Sequence, residues 1–484
     1  MKRTTCLFLL FLLAQVVSAG SKMKYASERK YMYRLTLTDK RGSNYSLSHP
    51  TRWLSAKSVE RRRRQGLALD STDLPVSPQY MKTIAAHNGV NIIGKSRWNN
   101  TVVALSNDTL ALQSLAGLPF VKKAELVWVS PDSVNKKLYK EKYHHQFNPW
   151  DSVKLERYGG GKEQIEAVNG HRLHAIGKRG RNMTIAILDG GFQNVNNIPA
   201  FQYVKIAEVR DLVWHDPTAP VPANPNDLVY YGSDHGTRVL SAMAADIPEV
   251  LTGTAPDATY LLLRCEDLQT EQPVEEDYWA MAAELADSAG ADVINSSLGY
   301  TEYDAPHQSP RLRDLDGRTT LISRTASMLA SKGIVLVSSA GNTGMGPWKK
   351  ITIPADADDI LTVGAVTPEG RNAPFSAVGP SQDGRVKPDV VAVGSPAILI
   401  SGRGTIVHDM GTSFSAPIVA GLVACLWQAL PTMKAADIIS LIRRTADNHD
   451  APDNIYGYGK PNFWQAYMVG KWPTQALPKR GVSD

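Results

Sequence analysis

Cysteine is scarce, with three in 484 residues. Cys6 lies in an N-terminal stretch that export would remove, so Cys265 and Cys425 remain and a disulfide-stapled scaffold is excluded. Cys265 ends an apolar strand pattern and Cys425 falls inside an apolar helical run. That placement favours two buried thiols, with a single bridge left open as the alternative. Long hydrophobic runs are also missing beyond the N-terminus. Ile418–Leu430 is 13 residues, short of the roughly 20 that span a bilayer, and reads as a core helix. There is no internal repeat and no low-complexity tract. The basic run Arg61–Arg64 has no aromatics interleaved and the rest of the chain is acidic, which excludes nucleic-acid binding.

What is present begins with an export pattern. Lys2 and Arg3 precede an apolar stretch from Cys6 to Val17, and Val17-Ser18-Ala19 offers a small-residue cleavage point. No cysteine stands there to carry a lipid, and no transmembrane anchor is expected after the signal is removed. Apolar content of 43% and charged content of 21% suit a globular protein too long for one average domain. Charge is unevenly spread. Residues 20–145 hold 22 Lys+Arg against 9 Asp+Glu, and residues 146–484 hold 29 against 38. The two parts are either separately solvated surfaces or electrostatically complementary ones. The expected division is a signal at 1–19, a basic unit at 20–130, a polar Lys-rich linker at 131–154 open to proteolysis, a larger unit at 155–470 and a short tail at 471–484.

In the basic unit, "YMYRLTL" alternates like a strand and "SAKSVERRRRQG" reads as a helix capped by Ser55 or Ser58 and stopped by Gly66. Two strands around Asn99-Asn100, a helix after Asn107-Asp108 and a last strand "VKKAELVWVS" complete a β-α-β-β-α-β order. That predicts a small α+β ferredoxin-like domain. From about 155 the pattern changes to near-continuous apolar strands alternating with helices: "MTIAILD", "ATYLLLR", "ADVINSSLG", "GIVLVSSAGN" and "ILTVGAV". Strands apolar on both faces predict an α/β fold with a mostly parallel sheet between helix layers. The acidic run Glu266–Asp277 reads as a helix start at Pro273 with acids favoured by the helix dipole. A calcium site and a docking patch for the basic unit are its alternatives, the first lacking a calcium-loop spacing.

Four polar residues interrupt these patterns at informative places. Asp189 ends a buried strand and is followed by two glycines. His235 starts a helix of small residues in "DHGT". Asn342 follows a strand end. Ser413 in "GTSFSAP" precedes a long apolar run. Taken singly, each has an ordinary structural reading as a turn former, a core histidine or a helix cap. Taken together, strand ends and helix starts can converge on one rim of a parallel sheet. A serine to attack, a histidine to move its proton, an aspartate to orient the histidine and an amide to meet the oxyanion make up acyl-transfer chemistry.

In the order Asp189, His235, Asn342, Ser413, the segments "ILDGG", "DHGT", "SSLG", "SSAGN" and "GTSFSAP" resemble the subtilisin-like serine proteases of peptidase family S8. The resemblance covers about residues 155–470, and the basic unit resembles the propeptide of these enzymes, an internal chaperone and inhibitor. It implies a three-layer subtilisin-like fold and a secreted endopeptidase made as a zymogen. Asp189, His235 and Ser413 are the implied catalytic triad and Asn342 the oxyanion donor. Ser297, Leu298 and Gly299 would be the edge that pairs with substrate backbone. Ser339, Ala340 and Gly341 would form a pocket wall, with Thr352 standing where relatives often have glycine and so shortening that pocket. The implied partners are peptide substrates and the chain's own propeptide, in a monomer. No cofactor is required, and a structural calcium is left open. Two departures stand out: Gly190 replaces the usual Ser or Thr after the aspartate, and Arg238 replaces the last histidine of the H-G-T-H pattern. A transpeptidase using the same acyl-enzyme and a non-catalytic peptide binder are the rival readings.

Overall fold

The structure is a computed structural model that describes residues 22–24, 28–135, 146, 155–217, 222 and 224–472. The expected signal, most of the expected linker and nearly all of the tail lie outside the described residues.

Seven parallel strands form the sheet of the larger unit. In space they run Val390–Val393, Leu361–Val366, Val335–Ser339, Val293–Ser296, Thr184–Asp189, Thr259–Arg264, Lys205–Asp211. The chain starts at Thr184–Asp189, builds to one side, then returns to build to the other. The switch point lies between Thr184–Asp189 and Val293–Ser296, where a crevice opens beyond the strand ends. Five strands match the sequence expectation; both edge strands are additional. Lys205–Asp211 alternates charged and apolar residues and is partly exposed, a pattern of edge strands that a search for continuous apolar runs passes over.

Strand alternation divides the core in two. Ile185 and Ile187 face the helices His235–Ala244 and Thr412–Ala429, whereas Ala186 and Leu188 face the helix Val274–Ala289. Thr412–Ala429, hereafter the serine helix, is apolar all round and almost wholly buried. It is the one described helix long and apolar enough to cross a membrane, and its burial marks it as a core helix. Cys425 lies within it, and both Cys265 and Cys425 are buried free thiols.

The basic unit is a four-stranded antiparallel sheet in the order Asn91–Ser96, Thr101–Ser106, Tyr31–Leu37, Val121–Val129. In chain order that is 2-3-1-4, the ferredoxin-like arrangement. Both faces of Thr101–Ser106 are buried. Val102 and Ala104 pack with Leu35, Ile84 and Leu112 under the unit's own helices, while Val103 and Leu105 pack with Trp98, Trp128 and Trp279 against the larger unit. Here the sequence expectation needs correction. The helix that covers the sheet is Pro78–Ala85, whereas Ala56–Gln65, capped by Ser55 and closed by Gly66 at φ 67°, packs on Val274–Ala289. Its arginines point outward from their own unit, so its helical pattern was legible but its docking surface was not.

Val274–Ala289 is therefore a docking helix. Asp277 accepts from Arg34 Nε at 2.9 Å and Nη2 at 2.6 Å. Asp287 accepts from Arg61, from Arg62 at 2.8 and 3.0 Å and from Arg97 at 2.5 Å. Glu284 accepts from the backbone N–H groups of Arg97 and Trp98 at 2.9 and 3.0 Å. The unlike charges of the two parts meet in an interface, not as separate solvated surfaces. The helix-dipole reading of the acidic run holds only in part. Glu275 and Glu276 accept from nearby backbone N–H groups of their own unit, but Asp277 serves the basic unit.

Candidate active site

The C-terminal end of Thr184–Asp189 buries the Asp189 side chain completely. Two donors satisfy it: Gly190 N–H at 2.8 Å and His235 Nδ1 at 3.0 Å from each carboxylate oxygen. His235 is the first residue of its helix, so the helix start fixes the ring over the strand end. One turn on, Arg238 pairs with Asp234 at 2.8 Å and with Asp409, and Gly402 N–H donates to Asp234 at 3.0 Å. These bonds tie the histidine's helix start to the hairpin that ends at Asp409. The arginine in place of histidine is thus a brace.

Ser413 is the second residue of the serine helix. The N-cap is Gly411, which has no side chain to bond the first turn, so Ser413 is not the capping residue. Its N–H is one of the first-turn amides without an intrahelical acceptor. Its Oγ donates to the Ser297 carbonyl at 3.2 Å, and Ser297 Oγ donates back to the Ser413 carbonyl at 2.8 Å. No hydrogen bond joins Ser413 Oγ to His235 in this state, a looseness common before substrate binds. Asn342 Oδ1 accepts from Thr412 N–H and Thr412 Oγ, both at 3.0 Å. That leaves the Nδ2 donors of Asn342 free at the cleft.

His235, Ser297, Leu298, Gly299, Ser339, Gly341, Asn342, Thr352 and Ser413 line one cleft of about 370 Å³. Asp189 lies behind His235. Ala340 does not reach the cleft: it is fully buried in the core, because it alternates with Ser339 and Gly341 along the strand extension. Thr352 is 4% exposed. A Cβ at either Gly299 or Gly341 would collide with its side chain, so the threonine fills the gap between two glycine-walled segments.

Electrostatics single out two groups. Burial disfavours the charged imidazole of His235, yet the Asp189 carboxylate and, further off, Glu266 outweigh it and push its pKa up to about 9. Glu266 was seen in the sequence only as one acid of a run, but it lines the cleft with His235. Its carboxyl is pushed up to about 7, by burial first and then by Asp189. Thr301 and Thr343 also line the cleft and were not singled out in the sequence, and Thr412 of "GTSFSAP" lines it beside Ser413. Among the described residues, no cluster of three His, Cys, Asp or Glu side chains could hold a metal ion.

The profile of the subtilase family matches residues 180–459. That of the peptidase S8 propeptide domain of Bacteroidota matches residues 32–146. Subtilisin DY of Bacillus licheniformis is 30% identical over 231 residues, 47% of this chain and 75% of the relative. Subtilisin NAT of Bacillus subtilis subsp. natto is 28% identical over 298 residues, 61% of this chain and 68% of the relative. Among solved structures, MycP3 protease from the type VII (ESX-3) secretion system is similar with a TM-score of 0.50 and 21% identity, covering 66% of this chain and 92% of that one. At that identity it speaks for a shared fold alone.

Proposed function

This chain belongs to the subtilase family of serine endopeptidases and carries an S8 propeptide domain, and on that premise we propose that it cuts peptide bonds with Ser413 as nucleophile, His235 as proton carrier, Asp189 as its orienting carboxylate and Asn342 as an oxyanion donor. The observation that carries the assignment is the convergence on one cleft: His235 is bonded twice to buried Asp189, and Ser413 and Asn342 line the same wall.

In the proposed reaction, Ser413 Oγ turns from the Ser297 carbonyl toward His235 and attacks the scissile carbonyl carbon. His235 Nε2 takes the hydroxyl proton, and the carbonyl electron pair moves to oxygen. The Ser413 N–H and the Asn342 Nδ2 meet that oxyanion, each such donor typically being worth about 3–4 kcal/mol in the transition state. Collapse breaks the C–N bond, and His235 returns the proton to the leaving amine. Water, deprotonated by the same ring, then hydrolyses the acyl-enzyme. Asp189 stays ionised throughout and fixes the tautomer. Substrate backbone adds as a strand along Ser297–Gly299, which reads main chain rather than sequence. Thr352 shortens the pocket beneath the attacked residue and favours small or medium side chains there.

The chain is exported through the 1–19 signal. The basic unit assists folding and then inhibits, until the chain is cut between residues 131 and 154. The test is Ser413→Ala in the full-length chain. Both self-processing and casein hydrolysis should fall, hydrolysis by on the order of a million-fold, the size measured when a subtilisin loses its nucleophile. Continued processing and hydrolysis by the purified variant would sink the assignment.

A further inference from the structure

Glu266 lines the cleft and, among the described residues, its carboxylate makes no ion pair; the histidine ring that acts on it is neutral when it accepts a proton. Glu266 stands two residues past Arg264, the last residue of Thr259–Arg264, which lies in register with Asp189. Neither oxygen has a hydrogen bond or ion pair among the described residues. Arg264, two residues before it, is engaged elsewhere, donating to the Gly190 carbonyl at 3.0 Å and to Asp211 at 2.9 Å. The space the carboxylate fills is the one a side chain at 190 would need: a Cβ on Gly190 would collide with Glu266 Oε2. Glycine at this position, where relatives carry serine or threonine, makes room for the acid.

An extended peptide along Ser297–Gly299 turns successive side chains to opposite sides. The residue whose carbonyl is attacked points toward Thr352 and Gly341. The residue before it then points toward His235 and Glu266. We infer that Glu266 selects a lysine or arginine side chain on the substrate residue immediately preceding the one whose carbonyl Ser413 attacks. The assignment rests on the proposed proteolytic function. A cation there supplies the partner that the acid lacks, and a charge-assisted hydrogen bond in a half-enclosed cleft is stronger than one in water. The charged groups that act on Glu266 are Asp189, His235, Arg264 and Asp267, and Glu266 in turn raises Glu271 and Glu275.

The experiment uses the self-processed protein and two peptides identical except for lysine or norleucine at that substrate position. At pH 8 the lysine peptide should have the higher kcat/KM by about tenfold, as expected for one partly buried charge pair. In Glu266→Gln the ratio should fall to near one. Gly190→Ala, whose methyl displaces the carboxylate, should reduce the ratio in the same direction. Each ratio is internal to one protein, so it does not depend on how much of a variant is active. A ratio near one in the wild type, or an unchanged ratio in Glu266→Gln, would overturn the assignment. If wild-type protein cleaved neither peptide nor casein, the underlying function would fall with it.

Discussion

The helices that cover the two apolar faces of the seven-stranded sheet differ in what they meet on their other sides. On one, the serine helix contributes Leu422 and Val419 to the same apolar cluster as Ile185 and Ile187, all within the larger unit. On the other, the docking helix brings Asp277, Glu284 and Asp287 into an interface completed only by Arg34, Arg61, Arg62 and Arg97 of the basic unit. A buried charge is costly without a partner, but water is an acceptable substitute for that partner. An apolar face has no such second solution. The serine-helix face therefore has to stay covered, whereas the carboxylates of the docking face can be hydrated when the basic unit departs, at the cost of the apolar contacts that Trp98, Val103, Leu105 and Trp128 make beside Trp279. That suits the release of the basic unit proposed above.

The largest expected effect tests the charged face. In Ser413→Ala chain, Asp287→Ala would leave three arginines facing one another, weakening the docking of the basic unit by about 3–5 kcal/mol. Hydrogen exchange in Thr101–Ser106 should speed up accordingly, while the thermal stability of the processed enzyme stays near its starting value. Equal damage to both would erase the distinction between the faces. Next comes Leu422→Ala in the apolar face, expected to cost about 3 kcal/mol of enzyme stability by thermal or urea unfolding, with docking unaffected.

A smaller effect is expected at the rim, where both faces meet the cleft. His235 must be neutral to accept a proton, so kcat/KM on a neutral peptide should rise with pH through its raised pKa of about 9. Glu266 contributes to raising it, so Glu266→Gln should move that acid limb to lower pH; a limb that stays put would show that Asp189 alone sets it. The smallest effect belongs to Arg63. It lies in the same arginine run as Arg61 and Arg62, yet its side chain is 74% exposed and among the described residues pairs only with Glu60. Arg63→Ala should change neither docking nor stability measurably, whereas Arg62→Ala should weaken docking.

Much of this molecule was legible in one dimension. Five of the seven parallel strands, the ferredoxin-like strand order and the positions of Asp189, His235, Asn342 and Ser413 at strand ends and helix starts follow from periodicity and turn chemistry, which are local. Tertiary structure decided what depends on a distant partner. Arg61 and Arg62 could be read as solvated or as complementary to a distant acid until Asp287, more than 220 residues away, buries them. Ala340 belonged with its neighbours in a motif until strand alternation turned it into the core. Glu266 was one acid among six until the fold placed it, unpaired, beside His235 and over a glycine. Apolar burial leaves its mark along the chain because it repeats with the backbone. Burial of a charge leaves none, because its cost is met by whichever residue the completed fold brings opposite.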